Sequence, residues 1–323
     1  MWQLLTREGS VININFSDFW VGFVKEDNYF YNLLSNHFDV KISDDPDLLI
    51  FSCYGKDYLK YKCVRIFYAS ENQRIDFSCC DYGIGFDYLK RQNYFRLPLY
   101  VYYLNGNVEA FVKNDLDVRK ILLEKTEFCN MIVSNPNSER RIKFFQKLSK
   151  YKKVDSGGRY LNNIGQPVQN KMNFIRKYKF TFAFENSAYP GYTTEKIMEP
   201  MLSYSIPIYW GNPLIHREFN PKSFVNSNDY ANDDELIERI IELDVNEDKY
   251  LECLKEPYVY NNNIDNLDFS QSKFVAYLDK IISNVGNFTP IALTNMRFIH
   301  EYKRKYLVLS HEIKRRFRIK RFR

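Results

Sequence analysis

FAFENSAYPGYTTEKIMEPMLSYSIPIYWGNP, residues 182–213, reads as one strand–helix–strand unit. An apolar aromatic run ends in Glu185 and Asn186, a Pro-Gly turn follows, and a helix begins at Thr-Thr-Glu-Lys before a second apolar run stops at Trp-Gly-Asn-Pro. Strands that alternate with helices are typical of parallel α/β sheets. Because ligands bind beyond the carboxyl ends of the strands in such sheets, the polar residues of this stretch mark a candidate site.

The same alternation runs through the rest of the chain. In the first part, SVININF, DLLIFSC and VRIFYASEN are predicted strands and NYFYNLLSNHF is a predicted helix. In the second part, FCNMIVSN and KFTFAFEN are predicted strands, VDSGGRYLNN is a predicted turn-rich loop, and the predicted helices are SERRIKFFQKLSKY, KMNFIRKY, DELIERIIELD and KYLECLKEP. We therefore expect an α/β fold with two doubly wound domains facing a cleft. The expected boundaries are 1–104 for the first domain, 105–126 for a connector, 127–285 for the second domain and 286–323 for C-terminal helices and a basic tail.

Composition excludes several other classes of protein. A chain of 323 residues is long for one core, and 45% hydrophobic and 17% aromatic residues exclude a disordered chain. The six cysteines show no paired metal-ligand spacing, and the adjacent Cys79 and Cys80 are unsuited to a mutual disulfide. We find neither a secretory signal pattern nor the run of about 18–20 apolar residues that a membrane span needs. These features predict a cytoplasmic protein with reduced thiols.

The positive charge is concentrated in residues 302–323. These 22 residues hold ten Lys or Arg and one Glu, a formal +9, so the other 301 residues carry −3 of the net +6. Written as a helix, the segment has an apolar and a basic side, which suits an anionic membrane surface. The alternatives are a solvated tail and nucleic-acid binding, and we expect no nucleic acid because the body is acidic and lacks a binding module. For this cytoplasmic protein we therefore also expect peripheral association with the inner face of the cytoplasmic membrane.

The helix start in residues 182–213 offers chemistry for an anion. Its first backbone N–H groups lack partners and carry a partial positive charge. Thr193 or Thr194 can cap the helix, Glu195 falls in its first turn, and Lys196 adds a cation. N–H groups and Lys196 would take the oxygens of a diphosphate, while a carboxylate takes sugar hydroxyls. The alternative is an ordinary capped helix with a solvated lysine.

The stretch KFTFAFENSAYPGYTTEKIMEPMLSYSIPIYWGNP, continued by EFNPKSFVNSNDY, resembles the signature of the α-1,3/1,4-fucosyltransferases, glycosyltransferase family 10, and especially its bacterial branch. The resemblance extends to VSNPNSERRIKFFQKLSKYKKVDSGGRYLNNIGQPV and, more loosely, to IFYASENQRIDF, YGIGFDYL and RLPLY. It implies a GT-B fold: two Rossmann-like domains facing a cleft, with the acceptor mainly on the first and GDP-fucose on the second.

The resemblance also implies roles for individual residues. Glu71, in ASENQRID, matches the family's general base. Arg141, in SNPNSERRIKFF, matches its phosphate-binding arginine, with Arg140 as the alternative. Lys196 matches the second cation of the donor site, and Glu195 matches the carboxylate that binds donor hydroxyls.

Other positions of the motif carry weaker expectations. Asn186 and Tyr192 match positions near the donor, whereas Glu185 is either a ligand or the buried partner of a cation. The string Asp115–Asp117 fits the Asp-x-Asp pattern of metal-dependent glycosyltransferases, but it falls in the connector and we attribute it to chance. The resemblance implies chemistry without a metal or other cofactor, with cations and a helix end acting instead.

The expected function is that of an inverting α-1,3-fucosyltransferase. It would transfer L-fucose from GDP-β-L-fucose to the 3-OH of N-acetylglucosamine, or of glucose, in lactosamine- or lactose-type glycans by single displacement, with Glu71 as base. Two alternatives stay open: the same fold using another nucleotide sugar, and a catalytically degenerate relative that binds glycan or lipid. The expected partners are GDP-fucose, a lactosamine-type acceptor and an anionic membrane surface.

Overall fold

The computed structural model describes residues 11–114, 116–136, 138–267, 269–296, 298–300, 302–303 and 306. The chain divides into two compact units, and each contains one sheet. The first unit comprises the described parts of Met1–Gly85, Leu89–Phe95 and Gln271–Arg323, and the second comprises Phe86–Tyr88 and Arg96–Ser270. The predicted α/β fold with two parallel sheets is confirmed.

The first unit is built on a six-stranded sheet in the order β2-β1-β3-β4-β5-β6. Its strands are β1 Ile12–Ser17, β2 Val40–Ile42, β3 Leu48–Phe51, β4 Val64–Tyr68, β5 Tyr82–Gly85 and β6 Tyr94–Arg96, the last residue of which belongs to the second unit. The pairs from β2 to β5 are parallel. The chain moves outward from β1 in one direction to β2 and in the other to β3, so the order reverses between β1 and β3.

The second unit is built on a five-stranded sheet in the order β11-β10-β9-β7-β8, and all its pairs are parallel. Its strands are β7 Glu127–Met131, β8 Val154–Ser156, β9 Tyr178–Phe184, β10 Ile206–Trp210 and β11 Val225–Asn226. The helices of the chain are α1 Tyr29–His37, α2 Leu99–Tyr103, α3 Val118–Glu124, α4 Glu139–Leu148, α5 Lys171–Ile175, α6 Glu195–Leu202, α7 Asp233–Val245, α8 Glu247–Lys255 and α9 Gln271–Asn284.

The central strand β9 shows why the second sheet forms. Six of its seven residues are buried, as expected for a parallel strand covered on both faces. Phe144 of α4 stacks on Phe184 at 5.2 Å between ring centroids and lies 5.4 Å from Phe182. These rings fix the position of α4 over the carboxyl half of β9, and α4 carries two of the predicted site residues, Arg140 and Arg141.

Two features differ from the sequence-based expectation. The predicted loop VDSGGRYLNN begins with strand β8, which pairs with β7 and was missed because it is only three residues long before Gly157. The unit boundaries also fall elsewhere than the expected domain boundaries. Helix α9, expected in the domain 127–285, belongs to the first unit because Phe274 stacks on Tyr29 at 6.2 Å.

The basic segment 302–323 lies outside the described residues except at Tyr302, Lys303 and Tyr306. Its predicted membrane-binding helix therefore stays a prediction. Within the part of the chain that the structure describes, no helix is both long and apolar enough to cross a membrane.

Candidate donor-binding site

The candidate site lies at the carboxyl edge of the sheet in the second unit. After β7 the chain moves outward to β8, whereas β9, β10 and β11 follow one another on the other side, so the order reverses between β7 and β9. Such a reversal leaves a crevice at the carboxyl ends of the two strands, where ligands of α/β sheets bind. Glu185 and Asn186 directly follow β9, and α4 follows the loop after β7.

Helix α6 begins at this edge with Thr194 as its N-cap. Thr194 has an extended backbone (φ −113°, ψ −166°), and its hydroxyl accepts a hydrogen bond from the Lys196 N–H at 3.4 Å. The prediction left Thr193 and Thr194 open as caps. Thr193 has a different partner, since its hydroxyl accepts a hydrogen bond from the Asn212 amide at 3.0 Å.

Glu185 is a buried partner of the helix start. Its side chain is fully buried, and its carboxylate accepts hydrogen bonds from the Thr194 N–H at 2.8 Å and the Thr194 hydroxyl at 2.8 Å. The Lys196 ammonium lies 3.3 Å from the same carboxylate. Burial raises the pKa of the Glu185 carboxyl, and the charge of Lys196 opposes that rise. Of the two roles that the sequence left open, the contacts are those of a buried partner for a cation.

Lys196 and Glu195 form an ion pair at the first turn of α6. The Lys196 Nζ lies 3.2 Å from the Glu195 carboxylate and donates to the Thr194 hydroxyl at 3.0 Å. Burial disfavours the ammonium, but the carboxylates of Glu185 and Glu195 outweigh it and raise the pKa of Lys196. Burial likewise opposes ionisation of Glu195, but Lys196 and the local hydrogen bonds lower its pKa. Both side chains are therefore charged at neutral pH.

Arg141 supplies a second cation to the same edge. Its side chain extends from α4 and is buried, and one guanidinium nitrogen donates to the Phe184 carbonyl at 2.7 Å and to the Asn186 side chain at 3.1 Å. Burial lowers the pKa of Arg141, while the charges of Glu185 and Glu195 act against that shift. Its Nε, also buried, has no hydrogen-bond partner within the described part of the chain. A buried N–H donor without a partner is costly, so this guanidinium is suited to a ligand oxygen.

Arg140 and Tyr192 are placed differently from the cluster of Arg141, Glu195 and Lys196. Arg140 pairs with Asp233 of α7 at 2.6 Å and donates to the Ser227 hydroxyl at 3.0 Å. Tyr192 is buried and packs edge-on against Phe86, with 5.2 Å between ring centroids. The predicted donor contacts of both residues stay predictions.

The sequence interpretation missed the role of Asn212. Its side-chain oxygen accepts from the backbone N–H of Gly191 at 2.8 Å and of Leu214 at 2.9 Å, and its own N–H donates to the Tyr209 hydroxyl at 2.8 Å. Asn212 thus ties the loop before α6 to the carboxyl end of β10. The available signal was the Trp-Gly-Asn-Pro turn, because an asparagine next to a glycine at a strand end often bonds to backbone.

Glu71, the predicted base, belongs to the first unit. It follows β4 by three residues, its side chain is exposed, and its carboxylate accepts a hydrogen bond from the Tyr54 hydroxyl at 3.0 Å. Burial and the charge of Glu71 raise the pKa of Tyr54, so this hydroxyl keeps its proton and donates. The catalytic role of Glu71 stays a prediction.

The Asp-x-Asp string of the connector has a structural explanation at one end. Asp117 is the N-cap of α3 and accepts a hydrogen bond from the Lys120 N–H at 3.0 Å, whereas Asp115 lies outside the described residues. Across the residues that the structure describes, no group of three or more His, Cys, Asp or Glu side chains is arranged to hold a metal ion.

Comparison with known proteins identifies the class to which this arrangement belongs. The structure resembles a solved α1,3-fucosyltransferase with GDP-fucose, with a TM-score of 0.72, 27% identity and coverage of 91% of this chain and 94% of that one. The same enzyme class with GDP gives a TM-score of 0.72 at 29% identity over 88% of this chain and 94% of that one. The two parallel α/β units therefore define a fold of the GT-B class.

Sequence comparison specifies the family. Residues 14–103 match the α-(1,3)-fucosyltransferase FucT N-terminal domain, and residues 122–263 match the C-terminal part of glycosyltransferase family 10 (fucosyltransferase). The α-(1,3)-fucosyltransferase FucT of Helicobacter pylori is 31% identical over 79% of this chain, and human 4-galactosyl-N-acetylglucosaminide 3-alpha-L-fucosyltransferase FUT6 is 34% identical over 40% of it. The chain spans 62% of the length of the first relative and 37% of the second. The chain belongs to glycosyltransferase family 10, as the sequence motifs predicted.

Proposed function

We propose that this chain is an inverting α-1,3-fucosyltransferase. It transfers L-fucose from GDP-β-L-fucose to the 3-OH of N-acetylglucosamine, or of glucose, in a lactosamine- or lactose-type glycan. The observation that carries the proposal is the buried guanidinium of Arg141, with its Nε unpaired within the described residues, at the strand edge where α6 begins. Family membership and the solved relatives with GDP and GDP-fucose support the choice of donor.

The donor diphosphate binds at the carboxyl edge of the second sheet. Arg141 takes phosphate oxygens through its free N–H, and Lys196, already charged, contributes the second cation. Glu195 accepts hydrogen bonds from donor hydroxyls. As the bond from fucose to GDP breaks, negative charge grows on the leaving diphosphate, and these two cations stabilise it. Since they supply that stabilisation, we propose that the reaction needs no divalent metal, and turnover in the presence of EDTA tests this.

Glu71 acts as the general base in a single displacement. The acceptor hydroxyl attacks the anomeric carbon of fucose from the face opposite GDP, and its proton passes to the carboxylate as the new bond forms. One base is sufficient because the diphosphate leaves without being protonated. The exposed carboxylate at the carboxyl end of β4 and its hydrogen bond from Tyr54 support this role.

The nucleotide and the sugar are tested together. The purified chain is incubated with lactose, N-acetyllactosamine or its β1,3-linked isomer and with GDP-fucose, GDP-mannose, UDP-galactose or UDP-glucose. An α1,3-linked fucosyl product from GDP-fucose alone is expected. A product only from a UDP-sugar would contradict the proposal and favour the alternative donor, while folded protein that neither transfers nor hydrolyses any donor would favour the glycan-binding relative.

We also propose that residues 302–323 attach the protein to anionic membrane surfaces. The support is the sequence pattern of apolar residues among ten Lys or Arg. Cosedimentation with phosphatidylglycerol vesicles, lost on deletion of residues 302–323 and at high salt, is the expected result. Equal sedimentation of the full and shortened chains would contradict it.

A further inference from the structure

Glu218 follows β10 in the chain and accepts three side-chain hydrogen bonds while fully buried. The Arg96 guanidinium donates to its Oε1 at 2.6 Å, and the Tyr88 hydroxyl donates to the same oxygen at 3.0 Å. The Tyr100 hydroxyl donates to its Oε2 at 2.6 Å. We name these four residues of the second unit the Glu218 cluster. Because both carboxylate oxygens are bound to protein donors, the cluster joins segments of the chain that are distant in sequence.

Charge and burial make the Glu218 cluster rigid. Burial disfavours the Arg96 guanidinium, but the charge of Glu218 outweighs it and raises the pKa of Arg96. Burial and the charge of Glu218 also raise the pKa of Tyr88 and of Tyr100, so both hydroxyls keep their protons and donate. The Arg96 guanidinium lies over the Tyr88 ring, 4.1 Å from its centroid. A fully bonded polar network in a low-dielectric interior favours one arrangement strongly.

The cluster contacts the start of α6 through Tyr100. This residue lies in α2, and its backbone N–H donates to the Thr193 carbonyl at 3.3 Å. The Asn212 amide donates to the Thr193 hydroxyl at 3.0 Å. Thr193 directly precedes Thr194, the N-cap of the helix. The backbone before α6 is therefore held by a residue whose side chain is bound to Glu218.

A second contact is made by residues 86–88. The Arg96 Nε donates to the Phe86 carbonyl at 3.1 Å, and a Cβ added at Gly191 would lie 2.3 Å from that carbonyl oxygen. The same added Cβ would lie 3.3 Å from the Tyr88 ring. The loop before α6 therefore packs directly against groups that the Glu218 cluster holds in place.

The position of this loop affects the position of a cation. The Thr194 hydroxyl accepts a hydrogen bond from the Lys196 ammonium at 3.0 Å, and the Thr194 N–H donates to Glu185 at 2.8 Å. A displacement of Thr193 would move Thr194 and disturb the contact with the ammonium. A charge stabilises a bound anion or a transition state best when it is already in the required place. Such a displacement should therefore weaken the binding of a diphosphate.

We infer that Glu218 is a positioning residue for the nucleotide donor. Through Tyr100 and Arg96 it fixes the loop before α6, and that loop fixes the place of the Lys196 ammonium. The inference rests on the proposed function, since it takes Lys196 as a cation of the diphosphate site. Glu218 acts through protein neighbours, and Arg96 and Tyr100 lie outside the strand–helix–strand stretch of residues 182–213.

The test compares two tyrosine hydroxyls that donate to carboxylates in the same unit of the full chain. Tyr100→Phe removes only the hydroxyl that binds Glu218 and keeps the ring, which lies 5.2 Å from that of Phe219. Tyr178→Phe is the matched control, because Tyr178 is also buried and donates to Asp155 at 2.9 Å, but it is the first residue of β9 and so lies at the opposite edge of the sheet.

GDP affinity, measured by calorimetric titration, should respond to one substitution and not to the other. Tyr100→Phe should weaken GDP binding about fivefold, as the loss of one hydrogen bond typically does, and should raise the KM for GDP-fucose by a similar factor. The KM for the acceptor N-acetyllactosamine should stay within about twofold. Tyr178→Phe should leave all three quantities within about twofold of wild type.

Amide hydrogen exchange of the ligand-free proteins adds a readout that needs neither donor nor turnover. Exchange in residues 191–196 should be faster in Tyr100→Phe than in wild type and unchanged in Tyr178→Phe. If folded wild type binds no GDP or transfers no fucose, the proposed function fails, and faster exchange confined to these residues still supports the positioning of the helix start.

A purely structural role would give a different result. Tyr100→Phe and Tyr178→Phe would then both lower the free energy of unfolding, while GDP affinity and the exchange of residues 191–196 stayed as in wild type, and this would overturn the inference. If Tyr100→Phe fails to fold, Tyr88→Phe decides, because it removes a hydroxyl from the same carboxylate and leaves Arg96 in place. Weaker GDP binding with faster exchange in residues 191–196 is again the expected result.

Discussion

The carboxylate of Glu185 accepts two hydrogen bonds from Thr194, one from its backbone N–H at 2.8 Å and one from its hydroxyl at 2.8 Å. An anion of the protein itself therefore already lies at the start of α6. Together with Glu195 it keeps Lys196 in the charged form. This carboxylate occupies the helix start, so we propose that a donor diphosphate would depend on Arg141 and Lys196 for its cations.

Removing the charge of Glu185 should destabilise the fold. Glu185→Gln keeps the shape of the side chain but leaves Lys196 with one carboxylate fewer and weakens the contact with Thr194. We expect the free energy of unfolding to fall by about 2–4 kcal/mol, as is typical when one member of a buried pair is lost. Urea denaturation at pH 7 measures this. Glu139→Gln is the control, because its pair with Lys143 is 80% exposed at Glu139 and should change the free energy of unfolding little. Equal losses in both variants would contradict the buried-pair role.

Arg141 and Arg140 are adjacent in sequence but have different partners in the structure. Substitutions at the two positions should therefore affect GDP affinity differently. Arg141→Lys loses the fork that contacts Phe184 and Asn186 and cannot replace its geometry, so we expect GDP binding to weaken about tenfold or more. Arg140→Lys keeps a cation for Asp233, and GDP affinity should stay within about twofold. Calorimetric titration with GDP measures both. The reverse order would show that Arg140 binds the phosphate.

Gly191 precedes the start of α6 at a crowded position. It has φ +83°, and a Cβ there would overlap the Phe86 carbonyl oxygen. Gly191→Ala should lower the free energy of unfolding by about 2–4 kcal/mol through strain and displacement of the Asn212-bound loop. Gly165→Ala is the matched control, since Gly165 has φ +98° but open space where an added Cβ would lie. This substitution should lower the free energy of unfolding by only about 1 kcal/mol. Similar thermal shifts for the two variants would mean that backbone strain alone sets the cost.

The buried lysine Lys113 should make stability depend on pH. Its ammonium donates to the carbonyls of Leu254 and Glu256 at the end of α8 and lies over the ring of Tyr258, and Cys253 is its other titratable neighbour. Burial lowers the pKa of Lys113 to about 7. Between that pH and its ordinary pKa of 10.5 the unfolded chain binds the proton more tightly than the folded one, so stability rises as pH rises.

The corresponding measurement is chemical denaturation at pH 7 and pH 8.5. Over this interval the free energy of unfolding of wild type should rise by about 1–2 kcal/mol relative to that of Lys113→Met, because the variant lacks the titrating ammonium. In the control Lys120→Met, at an exposed lysine, the free energy of unfolding should change with pH as it does in wild type. A constant difference between wild type and Lys113→Met at the two pH values would show that the ammonium stays fully charged in the folded protein.

The sequence predicted most of the fold and the strand edge at which the candidate site residues of the second unit gather. The strands β9 and β10 could be predicted because their apolar runs are continuous. Helix α6 could be predicted from its threonine cap and the turn before it. The three-residue strand β8 was not, since pairing with β7 rather than local preference creates it. The position of α9 depends on Phe274 contacting Tyr29, more than two hundred residues away along the chain.

Individual roles within the site were harder to predict than its location. A glutamate at a strand end can bind a ligand or a neighbouring side chain, and only the distances to Thr194 and Lys196 distinguish these for Glu185. Tyr192 lies in the motif yet is buried against Phe86, which no local pattern indicates. Asp18 accepts a hydrogen bond from the Asp57 N–H and packs against Gly55, and no local pattern indicates this contact because it joins segments that are distant in sequence.

Transfer of fucose by wild type and by Glu71→Gln is the decisive test of the proposed fucosyltransferase reaction and of its base. Both proteins are incubated with GDP-fucose and N-acetyllactosamine, the product linkage is determined, and GDP affinity is measured alongside. We expect an α1,3-linked product from wild type and a kcat lower by about 10²–10⁴-fold for Glu71→Gln, with unchanged GDP affinity. Near-normal turnover by Glu71→Gln would contradict the assignment of the base, and wild type that makes no fucosylated product would contradict the proposed function itself.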